Sequence, residues 1–250
     1  MMYFSKDESE KLGKEVIKNL FFFSENQMLD CNQYIIKNDE TSELILFDGG
    51  NGISLAGLFK GMENLNLNYE NITKVFLTHE HVDHVVGIYK LIQILRDNPP
   101  KIFAYGVTAK ILEKGDESKI LPIVLGITAR RLGVEIIPLE VNDLSHVKEI
   151  KITPEYIFQI HYTPGHSPGS ICFYEPNKKI LIPGDLVFKG GSFGRYDFPG
   201  GSLKMLINSI KLMNNLDVKY LLPGHMGISE NGNKNIELSY RMVESMVSYN

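Results

Sequence analysis

At 250 residues, with 43% hydrophobic residues and a formal net charge of −4, the chain has the length and apolar content for one sizeable buried core. The weakly acidic balance gives no electrostatic footprint for nucleic acid, and no apolar run approaches the length of a membrane span. Two cysteines, Cys31 and Cys172, lie far apart inside apolar segments, a usage that suits buried free thiols in a reducing cytoplasm rather than a disulfide framework.

The start, from Met1 to Glu8, carries charges of both signs and no long apolar stretch, so no signal peptide is expected. Leu20-Phe21-Phe22-Phe23 has the length of a strand. Asn32 to Ile36 and Leu44 to Phe47 read as two strands of a hairpin joined by a polar turn. Asp48 ends the second strand at the loop Gly49-Gly50-Asn51-Gly52. It is either a turn-former or helix N-cap, or a carboxylate that steadies residues of a neighbouring site. Ile53 to Lys60 looks helical, and Asn71 to Leu77 is a strand.

Thr78-His79-Glu80-His81-Val82-Asp83-His84 follows, and it concentrates candidate metal ligands more densely than any other stretch. The preceding Val75-Phe76-Leu77 reads as buried strand and Val85 to Arg96 as a helix, which places the cluster on a strand-to-helix loop. On an extended segment, imidazoles two residues apart point to the same side, so His79 and His81 can share one ion. As the chain turns into the helix, Asp83 and His84 are redirected together toward a second ion or a bridging water. Imidazole suits zinc or iron, and a carboxylate favours a divalent ion. These residues alone do not fill two coordination shells.

Asp97-Asn98-Pro99-Pro100 is a strong breaker before a strand from Lys101 to Tyr105. Ala109 to Val134 suits two short helices interrupted near Gly115 and Pro122, with Arg130-Arg131 as a solvated helix end. Val134 to Ile160 reads as consecutive strands and turns, with His146 solvated.

The second dense stretch is His161-Tyr162-Thr163-Pro164-Gly165-His166-Ser167-Pro168-Gly169-Ser170, a rigid loop beyond a strand. His166 in the loop is the ligand candidate, and His161 belongs to the strand. Ile180-Leu181-Ile182-Pro183-Gly184-Asp185 and Tyr220-Leu221-Leu222-Pro223-Gly224-His225 repeat one grammar: apolar strand, Pro-Gly, then a ligand-capable residue. A helix from Asn235 to Val247 follows.

Taken in order, His79, His81, Asp83, His84, His166, Asp185 and His225 resemble the metal-binding signature of the metallo-β-lactamase-fold hydrolases. The resemblance runs over nearly the whole chain. It implies an α+β, four-layer αββα sandwich forming a single domain over 1–250. The stretch at about 98–142 departs from the compact members in being longer, and reads as a helical insertion that forms a lid or a homodimer contact. The resemblance also implies two divalent ions: zinc, with iron or manganese as alternatives. One would be held by His79, His81 and His166 and the other by Asp83, His84 and His225, with Asp185 bridging.

The run Gly190 to Gly201 is similar to the corresponding segment of glyoxalase II-like thioesterases and persulfide dioxygenases. Its glycines let backbone approach a substrate, and Arg195 either meets a carboxylate or locks the loop. Tyr196 and Phe198 are candidate pocket walls. Only a short tail follows His225, so the helical C-terminal domain with which glyoxalase II grips glutathione looks absent, and Phe188 stands where homoserine-lactone hydrolases carry a tyrosine.

These features imply hydrolysis of a thioester, ester or lactone of a small molecule, with Asp83 orienting the attacking water. The rival from another reaction class is a single iron on His79, His166 and Asp185 for persulfide oxidation. A nuclease and a non-catalytic metal-binding protein are less favoured: the first lacks a basic stripe, and the second would not need an open coordination position.

Overall fold

The computed structural model describes residues 10–26, 28–121 and 126–247. The charged start Met1 to Glu8 and the Pro122 breaker lie outside them.

Strand alternation builds two sheets with a shared interior. The first carries seven strands in sequence order: β1 (Gly13–Ile17), β2 (Leu20–Phe23), β3 (Gln33–Lys37), β4 (Leu44–Phe47), β5 (Ile72–Phe76), β6 (Lys101–Ala104) and β7 (Val141–Asp143). β1 to β4 pair antiparallel as hairpins, and β4 to β7 pair parallel, as crossover helices require. Those helices are α1 (Leu55–Asn64) between β4 and β5, α2 (Val82–Ile94) between β5 and β6, and α3 (Gly106–Lys114) with the short α4 (Glu117–Ile120) before β7.

The second sheet holds β8 (Glu149–Thr153), β9 (Tyr156–Tyr162), β10 (Ile171–Glu175), β11 (Ile180–Ile182) and β12 (Tyr220–Leu221), in reverse order across the sheet. α5 (Leu203–Met213) and α6 (Gly232–Val247) cover its outer face.

Period-two patterning assigns side chains to layers. On β3 and β4, Tyr34, Ile36, Ile45 and Phe47 face the second sheet, while Ile35, Leu44 and Leu46 face α1 and α2. Between the sheets Phe47 contacts Phe76, Phe158 and Phe173 at centroid distances of 5.6, 5.6 and 5.2 Å. Three apolar layers thus separate four layers of secondary structure, the αββα sandwich expected from the signature.

Several boundaries differ from the sequence reading. α2 begins at Val82 rather than Val85, which puts Asp83 and His84 on its first helical turn. Residues 98–142 contain β6 and β7 of the main sheet as well as α3 and α4, so this stretch continues the crossover pattern instead of standing apart as purely helical. The break after α3, by contrast, lies at Gly115 as the sequence reading has it, capping the helix with φ 62° in the left-handed region.

Candidate metal centre

All seven candidate ligands meet where the parallel strands of both sheets end. His79 and His81 leave β5 in extended backbone, Asp83 and His84 sit on the first turn of α2, and His166 lies in the β9–β10 loop. Asp185 follows β11 and His225 follows β12. The repeated Pro-Gly grammar has a geometric cause: β11 and β12 are parallel neighbours, and the Gly224 N–H donates to the Gly184 carbonyl at 2.9 Å, so both strand ends deliver a residue to the same place.

Two groups result. One ligand atom each from His79, His81 and His166 lies within 4.8 Å of the others, and the same holds for Asp83, His84, Asp185 and His225. Asp185 reaches both groups: Oδ1 is 3.3 Å from His84 Nε2, and Oδ2 is 3.2 Å from His225 Nε2 and 3.6 Å from His166 Nε2. Asp83 Oδ2 is 3.1 Å from His225 Nε2.

The outward nitrogen of four imidazoles is engaged by the protein. His84 Nδ1 donates to Asp48 at 2.9 Å, His166 Nδ1 to the Arg195 carbonyl at 2.7 Å, and His225 Nδ1 to Glu25 at 2.7 Å. His79 Nδ1 is 3.0 Å from Thr78 Oγ1, whose own proton goes to Asp48. These partners place a proton on Nδ1 and turn Nε2 of each ring inward, where its lone pair is available to a cation once any proton there is displaced. The inward atoms crowd one another: His166 Nε2 is 2.8 Å from His81 Nδ1 and 3.2 Å from His79 Nε2.

Buried His84 Nε2 and Asp185 Oδ1 have no hydrogen-bond partner at all. Inward-facing imidazole nitrogens and buried, unpartnered polar atoms that converge in this way fit a pair of divalent cations, and the nitrogen-oxygen donor set suits zinc, iron or manganese.

Electrostatics separate the two groups. Burial, reinforced by neighbouring imidazoles, holds His79 well below the ordinary histidine range and pushes His81 down to about 3. Burial also opposes charge on His84 and His225. There it is outweighed, for His84 by Cys31, Asp48, Asp185 and Asp83, and for His225 by Asp185, Asp83 and Glu25, so both are raised. Asp185 and Asp83 are lowered against burial by those same two histidines.

The site opens into a cavity of about 390 Å³ whose walls include Leu29, Ile120, Phe188, Phe193, Phe198 and Met226. Phe198 lines this cavity. Tyr196 does not line it: it packs against the apolar layer beneath α5 and α6. Arg195 binds Asp197 through two bonds of 2.9 and 2.7 Å and stacks 4.2 Å over Phe198, which leaves its guanidinium committed to the loop. His161 lies on β9 and exposed His146 beyond β7, both outside the two groups.

Two contributors escaped the sequence reading. Glu80 sits amid the ligands yet points away, taking bonds from Thr108 (2.8 Å) and Ser167 (3.0 Å) that tie the histidine loop to α3 and the His166 loop. Glu25 anchors His225. Buried Cys31 lies beside Asp48 and His84, but His84 Nδ1 is already taken by Asp48, and burial pushes the thiol up. The motif hinted at Glu80 only by interleaving it with ligands; nothing local marks Glu25.

The profile of the metallo-beta-lactamase superfamily matches residues 27–225. The hydroxyacylglutathione hydrolase GloC of Haemophilus influenzae is 33% identical over 198 residues, covering 78% of this chain and 84% of that protein. The probable metallo-hydrolase YqgX of Bacillus subtilis is 27% identical over 203 residues, or 79% and 85% of the two chains. Among solved structures, TTHA1623 in a di-iron-bound form shares 28% identity with a TM-score of 0.64 over 84% of this chain and 94% of that one. BLEG-1, a B3 metallo-beta-lactamase, shares 25% with a TM-score of 0.63 over 83% and 92%. Fold, donor set and sequence agree, and the chain belongs to the metallo-β-lactamase superfamily of metal-dependent hydrolases.

Proposed function

We propose that this protein hydrolyses the thioester of a small acyl group on an anionic thiol carrier, in the manner its likeness to a hydroxyacylglutathione hydrolase suggests. The observation that carries the reading is the pair of inward-facing donor groups, joined by Asp185, at the floor of an apolar cavity. Two bound divalent ions would supply Lewis acidity, activating water and polarising the scissile carbonyl.

The chain's own residues do the rest. Asp83, Asp185 and the histidines place those ions, Asp83 accepts a hydrogen bond from the attacking water, and the Phe188, Phe193 and Phe198 walls exclude bulk solvent around the acyl group. Among the described residues lining the cavity, every titratable side chain except Arg195 belongs to the donor set. Arg195 is held by Asp197, so the departing thiolate takes its proton from solvent.

A second cavity, of about 380 Å³, shares His81 with the first and is lined by Lys110, Lys114 and Lys119 against two carboxylates, Asp116 and Glu80, the latter engaged by Thr108 and Ser167. Among the described residues none of these lysines has an ion-pair partner, which suits carboxylates on the carrier. A reducing compartment fits the two buried, unpaired cysteines.

The test is metal analysis followed by assay. The protein loaded with zinc, iron or manganese is given a hydroxyacylglutathione, a neutral thioester and a lactone. Two ions per chain and fastest turnover of the first substrate support the reading. One iron per chain, with oxygen uptake on a glutathione persulfide and no thioester cleavage, overturns it.

A further inference from the structure

The β2–β3 loop reaches across the molecule to a residue 200 positions away. Glu25 uses both carboxylate oxygens there: Oε2 accepts the His225 Nδ1–H at 2.7 Å and Oε1 accepts the Met226 N–H at 2.8 Å. Glu25 is itself held, since its N–H donates to Asn32 Oδ1 at 2.9 Å. The Asn32 side-chain amide donates to the carbonyls of Pro223 at 2.9 Å and Met226 at 2.6 Å, and its backbone N–H donates to Gly224 at 2.7 Å. Tyr34 adds a bond from its hydroxyl to Pro223 at 2.6 Å. The loop that carries His225 is therefore fastened at each residue from Pro223 to Met226 by the segment from Glu25 to Tyr34.

We infer that Glu25 is the positioning residue of the second ion's site: it fixes the His225 proton on Nδ1 and aims Nε2 at Asp83 and Asp185, which lie 3.1 and 3.2 Å away. This rests on the two-ion reading above and adds a residue that precedes the span matched by the superfamily profile, 27–225. A carboxylate behind a ligating imidazole fixes its tautomer and raises its basicity. The other histidines draw on different partners, His84 on Asp48, His166 on the Arg195 carbonyl and His79 on Thr78, so loss of Glu25 strikes one group and spares the other.

The experiment is a cobalt titration of the metal-stripped full-length chain, following the d–d absorption and the bound metal, for wild type, Glu25→Ala and Glu25→Gln. Wild type is expected to take two equivalents. Glu25→Ala takes the first with unchanged affinity and the second with affinity lower by about 10–100-fold, and its d–d spectrum stops at the one-ion form under equimolar conditions. Glu25→Gln offers one oxygen to two donors and no charge, so it falls between; it also serves if the alanine variant folds poorly, with circular dichroism as the check. Unchanged binding of both equivalents overturns the inference and leaves the two-ion reading standing. Equal weakening of both also overturns it, showing that the loop acts on the whole site. A single equivalent bound by wild type sinks the two-ion reading, and the inference falls with it.

Discussion

Asp48, just past β4, and His84, on the first turn of α2, meet at 2.9 Å, with the same carboxylate accepting the Thr78 N–H at 2.8 Å and the Thr78 hydroxyl at 2.9 Å. One buried side chain thereby holds the first residue of the histidine loop and the last of its ligands. Asp48 adopts φ 60°, a left-handed conformation that asparagine and aspartate tolerate better than other side chains, so the backbone turn and the carboxylate contact are met by one residue. Its two candidate roles, turn-former and supporting carboxylate, both apply.

Replacing Asp48 by alanine leaves buried donors on Thr78 and His84 unpaired. The expected result is a loss of about 1–3 kcal/mol of stability for the unsatisfied groups, read from urea midpoints of the metal-free protein. Metal affinity is expected to fall about 10–100-fold, read by chelator competition. Asp48→Asn keeps the shape and one acceptor and should lose less on both measures.

Metal loading should release protons at neutral pH. His84 and His225 are raised above the ordinary histidine range in the metal-free protein, so they carry protons there, and an incoming cation must displace them. His79 and His81 are lowered and already neutral, so these two should release no proton when the first group is loaded. Calorimetry in buffers of different ionisation enthalpy separates the two: about one proton each from His84 and His225 is expected on loading the second group. For stability the sign follows from Asp185 and Asp83, whose lowered folded-state values favour the fold above the ordinary carboxylate range. That contribution is lost as pH falls through their lowered values, so the metal-free protein should melt earlier in strong acid.

The candidate ligands were legible in the sequence because they cluster in short polar motifs just beyond apolar strands, and strand ends are where α/β scaffolds present chemistry. The four layers were legible through the signature and through alternation on β3 and β4. What stayed hidden was whatever depends on distant pairing. Glu25 contacts a residue 200 positions later, Glu80 faces away from ligands on both sides of it, and Tyr196 differs from Phe198 only in which way the loop turns. The early start of α2 was missed because a His-x-His segment reads as extended, although Asp83 in the first helical turn is favoured by the helix dipole.

Gly224 is expected to tolerate no side chain. A Cβ there would lie 2.2 Å from Asp185 Oδ1 and 2.8 Å from His84 Cε1, displacing the carboxylate that links the two groups. Gly224→Ala should fold, since the closest clashes fall on side chains rather than on backbone, but it should bind less than two ions and lose hydrolytic activity by about two orders of magnitude. Metal content together with an unchanged circular dichroism spectrum would establish this; a fully loaded, active Gly224→Ala would show that Asp185 has room to move.

Charge reversal in the lysine-lined cavity should separate carrier recognition from chemistry. Lys110 and Lys114 are one helical turn apart on α3 and line the same recess beside His81, so Lys110→Glu/Lys114→Glu changes the local charge without touching a metal ligand. Because both side chains are exposed, each is worth at most about 1 kcal/mol, and the pair should raise KM for a glutathione thioester by roughly five- to thirtyfold with kcat unchanged. A neutral thioester of the same acyl group should be unaffected, and the wild-type KM for the anionic substrate should rise with salt while the variant's does not. Equal effects on both substrates would place the carrier elsewhere on the surface.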